Sequence, residues 1–493
     1  MGAAPIAVID IGSNSIRLAV VVADRDGHLE VVEEGRAVPR LIRDVRATGS
    51  LSAASIDLVL STLRAFMALA RGAGADRIIT VATSAVRDAT NSEGLVSRAA
   101  EELGLTIDVI PGTSEAEFSF AGAVHGLPVS DGLVIDIGGG SMEVVHFEGR
   151  VLRRSWTLPL GAVRLTDEFA LADPPDGSAL AALSEHARRV WHAEGIPPLV
   201  AGAHFVGTGG TVRNLAKLDR ANRAYSLPRL HGYALGADRL RAIADTLGRS
   251  ANQERAGMQG LNPDRADTIV AGAVAVLAAL DAAGADALLI SGQGLREGVA
   301  LRSSGYPAVS LPHLRATALE RLQRRFDTSM SAASRRNGVI EALRHASNVQ
   351  LSVEIADALK AASALLDLGR TVDYYTRHRQ TEAIIAAHGL PGFSHREVAL
   401  ICALIRQSGS ERYSALAYEP LVTPADAPAV LLGGTLLSAA DEVVLATGSG
   451  QEIAEVDQRA DRITLIFGGQ SAQELPMSGR FRRAFGANLV IRC

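Results

Sequence analysis

Two stretches decide how the chain is read. They are Val8–Val21, "VIDIGSNSIRLAVV", and Val134–Phe147, "VIDIGGGSMEVVHF". Each holds an apolar, β-branched run, then Asp-Ile-Gly, then a turn of small residues, then a second apolar run. Short apolar runs bounded by turn residues predict strands. Both stretches therefore predict a strand–turn–strand unit with an aspartate, Asp10 or Asp136, at the end of its first strand. The aspartates lie 126 positions apart. A solenoid would repeat every 20–50 residues or so. The longer spacing predicts two related domains facing each other across a cleft.

Working outward, the first copy predicts strands at Ile6–Ile11 and Ile16–Ala23. Asp26-Gly27 is a hairpin turn signal, and Leu29–Glu33 returns as a third strand. Ser52 caps a helix on which Ile56, Val59, Leu60, Leu63 and Met67 recur at helical spacing. A strand at Arg77–Val81, a helix at Glu93–Leu103 and a strand at Thr106–Ile110 follow. The second copy predicts strands at Leu133–Ile137, Met142–Phe147 and Val151–Thr157. Such alternation makes the fold class α/β. "SSGYPAVSLPH", from Ser303, reads as a linker. Residues 314–410 read as helical. From about 430 a helix gives way to strand-like runs, "RITLIF" and "ANLVIR". The expected domains are 1–125, 126–305, 306–425 and 426–493.

The length, 493 residues, suits three or four domains at about 150 residues each. With 47% hydrophobic and 21% charged residues, the chain is neither disordered, collagenous nor coiled-coil. Its net charge of −5 does not mark a general nucleic-acid binder. Lys217 and Lys360 are the sole lysines, so the basic residues are almost all arginines, planar groups suited to phosphate. Cys402 and Cys493 cannot frame a disulfide scaffold, which fits a reducing, cytoplasmic compartment. The N-terminus lacks the pattern of a signal peptide. No run of about 18 uncharged apolar residues predicts a membrane span.

The chemistry gathers at the two turns. Gly12, Ser13, Asn14 and Ser15 form one. Gly138, Gly139, Gly140 and Ser141 form the other. Glycine lets backbone amides close on an anion, and the hydroxyls and amide add donors. Two such nests, each led by an aspartate, suit a polyphosphate chain neutralised by Mg²⁺ or another hard divalent cation. Glu143 lies two residues past Ser141, on the same strand face. Arg17 and Arg87 lie beside motifs where they are placed to clamp phosphate oxygens, Arg87 at a strand end leading into a loop.

The wording "DIGSNSIRL", "VATSAVRDATN", "DIGGGSMEV", "GTGGT" and "SGQGLREG", in that order over residues 5–305, is similar to the Ppx/GppA family. That family comprises exopolyphosphatases and guanosine pentaphosphate phosphohydrolases, within the actin/Hsp70/sugar-kinase superfamily. The rest of the chain resembles its long subtype. The resemblance implies two actin-like (ribonuclease H-like) domains with facing phosphate-binding hairpins. A helical HD-like domain and a small α/β C-terminal domain would follow. In "IPGTSEAEFSFAGAV" it makes Glu115 the base that activates water, with Asp136 and Glu143 completing the catalytic set. Asp10, Asp136 and Glu143 would serve the metal. Arg87, the two turns and Gly209 of "GTGGT" would bind phosphate. Gln293 departs from the glycine usual at its place, and Ser114 stands where many members carry an acid.

In the helical part, "LLDLG" puts Leu366 where the family's histidine would stand, and "HRQT" keeps His378 but has Gln380. No metal is expected there. This part is expected to build a homodimer interface or extend a basic channel, with Arg315, Arg321, Arg324 and Arg325 on one edge. The implied activity is Mg²⁺-dependent release of orthophosphate from the end of inorganic polyphosphate. Hydrolysis of pppGpp is the alternative. A sugar-kinase-like phosphotransferase and a catalytically weak sensor of polyphosphate or alarmone are further ones. Neither nucleic acid nor membrane is an expected partner.

Overall fold

The computed structural model describes residues 4–23, 27, 29–410, 413–448, 451–468 and 471–493. Asp26 of the expected Asp26-Gly27 turn lies outside the described residues. The chain divides into two compact units. The first comprises residues 1–223 and 230–311, the second residues 224–229 and 312–493.

Two sheets organise the first unit. One contains β1 (Ile6–Ile11), β2 (Ile16–Ala23), β3 (Leu29–Ala37), β4 (Arg77–Ala82) and β5 (Ile107–Val109), in the order β3-β2-β1-β4-β5. The other contains β6 (Gly132–Ile137), β7 (Met142–Glu148), β8 (Val151–Leu158), β9 (His204–Thr208), β10 (Ala234–Gly236) and β11 (Ala287–Ile290). Its order is β10-β11-β9-β6-β7-β8. The repeat seen in sequence thus extends to topology. In each sheet an antiparallel three-strand meander sits beside parallel strands. β1 and β6, at corresponding places in the two sheets, are buried along their length except at Asp10 and Asp136. Side chains alternate between sheet faces, and β1 shows it. Ala7, Ile9 and Ile11 enter one core cluster, while Ile6 and Val8 enter another on the opposite face.

The other expected elements shift modestly. β3 runs to Ala37 rather than Glu33, because it is an edge strand paired with β2. Its Glu30, Glu33 and Glu34 face solvent, as charged edge positions do. The Ala53–Gly72 helix starts where Ser52 Oγ accepts the Ser55 N–H at 3.2 Å. That helix and Ala427–Thr447 are long and apolar enough to span a bilayer by composition alone. Each buries a stripe in a core, Val59, Leu63 and Phe66 on the first and Val430, Leu437 and Val443 on the other.

The second unit contains the helices Leu311–Arg325, Met330–Ala346, Val353–Leu365, Arg377–His388, His395–Gly409 and Ala427–Thr447. A four-stranded sheet follows: β12 (Glu455–Arg459), β13 (Arg462–Ile466), β14 (Ala472–Glu474) and β15 (Asn488–Arg492), in the order β12-β13-β15-β14. Helices and sheet share one apolar cluster that includes Leu227 and runs on from Leu322 to Ile491. Leu366 is fully buried in it. Beside it Asp367 and Asp441 hold two buried arginines. Arg336 Nη1 lies 2.7 Å from Asp367 and 3.3 Å from Asp441, and Arg377 reaches both carboxylates. Burial and the neighbouring Arg377 push His378 down to about 4. Arg315, expected on an open basic edge, is paired with Glu397 at 2.8 Å.

Candidate active site

The turns after β1 and β6 are built alike. Gly12 N–H donates to the Ser15 carbonyl at 3.1 Å, and Gly138 N–H to the Ser141 carbonyl at 3.0 Å. The carbonyls on the back of each turn are taken by amides at the start of a helix. Arg40 and Ile42 N–H bond Asn14 and Ser13, entering the Leu41–Thr48 helix. Ala162, Val163 and Arg164 N–H bond Gly138 and Gly139, entering the Ala162–Glu168 helix. The two turns face each other at contact distance. A Cβ on Gly139 would lie 3.3 Å from Ser13 and Asn14, and one on Gly140 would lie 2.5 Å from Ser84 Oγ. Ser84 Oγ and Ser13 Oγ share a hydrogen bond of 2.6 Å. Glycine is needed because the opposing wall occupies the space of a side chain.

A cavity of about 110 Å³ lies between the turns, and Asp10, Glu115, Asp136 and Glu143 are among the residues that line it. Register places Asp136 opposite Glu143 and, in the first copy, Asp10 opposite Arg17. Glu115 and Glu143 are buried and Asp10 and Asp136 partly so, and removal from water is the main reason each binds its proton more tightly than usual. Asp10 is pushed up to about 6, against the pull of Arg296 and Arg17. Glu115 is pushed up to about 7 by burial, opposed by Arg87 and reinforced by Asp10 and Asp136. Asp136 is raised, with Ser119 Oγ donating to it at 2.7 Å as the main opposing effect. Glu143 is raised by burial, then by Glu115 and Asp136. Its Oε1 accepts the Ser141 hydroxyl at 2.6 Å.

Arginines line the cavity too: Arg17, Arg213, Arg265 and Arg296. Arg17 and Arg213 hold their protons less tightly than a free guanidinium, first because of burial and then because of neighbouring arginines, Arg213 beside Arg17 and Arg296 beside Arg213, and Arg265 falls to about 10. Four clustered cations are a field prepared for an anion. Room for Arg265 comes from Gly210 of "GTGGT", where a Cβ would lie 2.0 Å from the guanidinium. Gly209 has φ +92°, and a Cβ there would lie 2.7 Å from Asp136. Both glycines therefore serve close approach.

The structure thus brings together Asp10, Gly12, Ser13, Asn14, Ser15, Glu115, Asp136, Gly138, Gly139, Gly140, Ser141, Glu143 and Gly209. Arg87 is placed differently. It sits in a short helix, Ser84–Asp88, not a loop, and outside the cavity lining. Its Nη1 donates to Glu115 Oε2 at 3.0 Å and to the Ile110 carbonyl at 2.9 Å, so it holds the glutamate. Ser119, Arg213 and Arg265 escaped the sequence reading. Ser119 is one helical turn past Glu115, and Arg213 follows "GTGGT" by two residues. Arg265, in "NPDR", carries no motif signal.

The donor set suits a hard cation. Asp10 Oδ1 is buried and takes no hydrogen bond. Among the described residues no three of His, Cys, Asp and Glu form a ready-made metal cluster. The expected trio of Asp10, Asp136 and Glu143 is therefore not assembled as a three-ligand cage. Magnesium needs none, since it commonly takes one or two carboxylates and completes its shell with water and substrate phosphate.

Known proteins resemble this chain over part of its length. The sequence pattern of the Ppx/GppA phosphatase family matches residues 20–306. Exopolyphosphatase 1 of Mycobacterium tuberculosis is 34% identical over 299 residues, 60% of this chain and 87% of that protein. Exopolyphosphatase 2 of the same organism is 33% identical over 316 residues, 61% of this chain and 98% of that protein. The crystal structure of a Ppx/GppA member from Aquifex aeolicus superposes with TM-score 0.52 at 30% identity, covering 61% of this chain and 97% of that one. An exopolyphosphatase from Cytophaga hutchinsonii superposes with TM-score 0.55 at 25% identity, covering 62% and 100%.

Proposed function

Since the chain belongs to the Ppx/GppA phosphatase family, we propose that it is an exopolyphosphatase that removes the terminal phosphate of inorganic polyphosphate. The observation that carries this reading is the buried Glu115 carboxyl, pushed up to about 7, on the wall of a cavity flanked by two anion nests. A general base works best when its pKa lies near the operating pH.

The terminal phosphoryl group sits between the Gly12–Ser15 and Gly138–Ser141 turns, its oxygens facing backbone amides and the serine hydroxyls. Arg17, Arg213, Arg265 and Arg296 take the charge of the phosphates behind it. Glu115, steadied by Arg87, accepts a proton from the attacking water. The water oxygen bonds the terminal phosphorus, and the bond to the bridging oxygen breaks. The shortened chain leaves as the anion, and the terminal group leaves as orthophosphate carrying the water oxygen. Positioning and charge stabilisation dominate such a transfer. A magnesium ion held by Asp10 and Asp136 would neutralise phosphate oxygens, with Glu143 orienting Ser141 and water nearby. In the same reading, an HD-like helical part at 306–425 and a small α/β part at 426–493, joined by one apolar cluster, serve polyphosphate binding or homodimer formation.

The test is phosphate release with Mg²⁺ from long-chain polyphosphate and from pppGpp, side by side, for wild type and Glu115→Gln. Polyphosphate is expected to be the better substrate. The mutant is expected to lose a factor on the order of 10²–10⁴ in kcat, the range typical of general acid–base catalysis. Preference for pppGpp would keep the chemistry and change the substrate. Absence of release from both would overturn the reading.

A further inference from the structure

Gln293 lies in "SGQGLREG", between β11 and the Leu295–Ser303 helix. Its main chain is tied to the second sheet's phosphate loop. Thr208 Oγ1 donates to its carbonyl at 2.6 Å, and Ser291 Oγ donates to the same oxygen at 3.0 Å. Its side chain reaches elsewhere, to the C-terminal end of the Gly112–Val124 helix that carries Glu115. The amide nitrogen, with two N–H groups to donate, has three acceptors within reach: the Gly122 carbonyl at 3.2 Å, the His125 carbonyl at 3.1 Å and His125 Nδ1 at 3.1 Å.

The histidine fixes that orientation. His125 Nε2 lies 3.0 Å from the Gly27 carbonyl, an acceptor, so Nε2 carries the proton. In the neutral ring Nδ1 is then an acceptor, and the Gln293 amide nitrogen is a donor beside it. The last carbonyls of a helix lack intrahelical partners and are satisfied by caps. Here Arg150 covers Val124, donating to its carbonyl at 2.8 Å, and Gln293 covers Gly122 and His125. The two helices cross so tightly that a Cβ on Gly122 would lie 2.0 Å from the Gly294 carbonyl.

We propose that Gln293 is a positioning residue for hydrolysis: its side-chain amide clamps the C-terminal end of the Glu115 helix to the Thr208 loop. The helix is a rod of 13 residues, with Glu115 in its first turn and Ser119, bonded to Asp136, at its middle. Holding its far end fixes its rotation, and rotation is what would move Glu115 and Ser119 off the cavity together. This role rests on the hydrolase reading above.

The test uses Gln293→Met, which keeps the length without a donor, and Gln293→Gly, which removes the side chain. Two readouts are taken from the full chain: amide hydrogen exchange over residues 116–125, and kcat and KM on polyphosphate. Exchange is expected to quicken about tenfold or more in both variants. Expected also is a fall in kcat of about tenfold with KM within about twofold, since phosphate contacts are untouched. If Met at this site prevents folding, the glycine variant decides alone. Unchanged exchange in a folded variant overturns the clamp, and quickened exchange with unchanged kcat overturns its positioning role. If wild type hydrolyses neither polyphosphate nor pppGpp, the functional reading fails while the exchange result still decides the clamp.

Discussion

Glu115 shows how one residue's surroundings make chemistry and cost stability together. Burial raises its carboxyl from 4.5 to about 7. As the base it must be ionised, so kcat/KM is expected to rise about tenfold per pH unit up to about 7 and then level. The stability effect has the opposite sign. A carboxyl whose folded pKa exceeds its unfolded one binds more protons when folded. Its folded state is therefore progressively disfavoured as pH climbs from 4.5 to about 7. The shift corresponds to at most about 3 kcal/mol. Glu115→Gln removes that penalty. It is expected to raise Tm relative to wild type at pH 8 and to change it little at pH 4.5, as thermal melts at the two values would show. An equal change at both would mean that Glu115 is not proton-linked to folding. Glu115 was legible through its family resemblance and Asp136 through the repeat, because both sit in contiguous motifs. Arg213 and Arg265 were not, since their value comes from converging on one cavity. Sequence shows the proximity of Arg87 to a motif and not the direction of its guanidinium, which points to Glu115.

At the scale of elements, the repeated unit was read correctly because its signal is local. Apolar runs, an aspartate and a turn produce the pairs β1–β2 and β6–β7 with the same register, Asp10 opposite Arg17 and Asp136 opposite Glu143. The same framework thus carries a cation in one copy and an acid in the other, so the two halves of the cavity are not chemically equivalent. What sequence could not show is the crossing of the Gly112–Val124 and Leu295–Ser303 helices, because it joins segments about 180 positions apart. Gly298 sits in that crossing, and a Cβ there would lie 1.8 Å from the Phe118 carbonyl. Backbone cannot rotate aside as a side chain can. Gly298→Ala is therefore expected to cost about 1–3 kcal/mol or more, as overpacking does. Gly94, in the Ser92–Leu103 helix, has open space at its Cβ position. Gly94→Ala is expected to stabilise by up to about 1 kcal/mol through helix propensity. Denaturant midpoints of the two variants should move in opposite directions. A neutral Gly298→Ala would show that the crossing tolerates separation.

Across the whole molecule, two units with separate cores should answer separately to ligands. The first presents carboxylates whose pKa values are raised by burial and which a bound cation would favour in their ionised form. In the second, Leu366 stands buried where the resemblance would place a metal-binding histidine. The charges beside it are already balanced, Asp367 and Asp441 against Arg336 and Arg377. All four side chains are at most 10% exposed, so each charge depends on its partners. Removing one partner of a buried pair typically costs about 3–5 kcal/mol, because the other is left uncompensated. A multidomain chain need not melt in one step, and calorimetry is expected to resolve two transitions here. Gly298→Ala identifies the first unit's transition by lowering it. Adding Mg²⁺ at pH 8 should raise that transition, since binding to the folded state alone stabilises it, and should do so less at pH 5, where Asp10 and Glu115 keep their protons. The other transition should ignore Mg²⁺ and chelator, yet fall in Asp441→Ala. If Mg²⁺ raised both transitions alike, the second unit would bind the ion too, and the expectation that it takes no metal would fail.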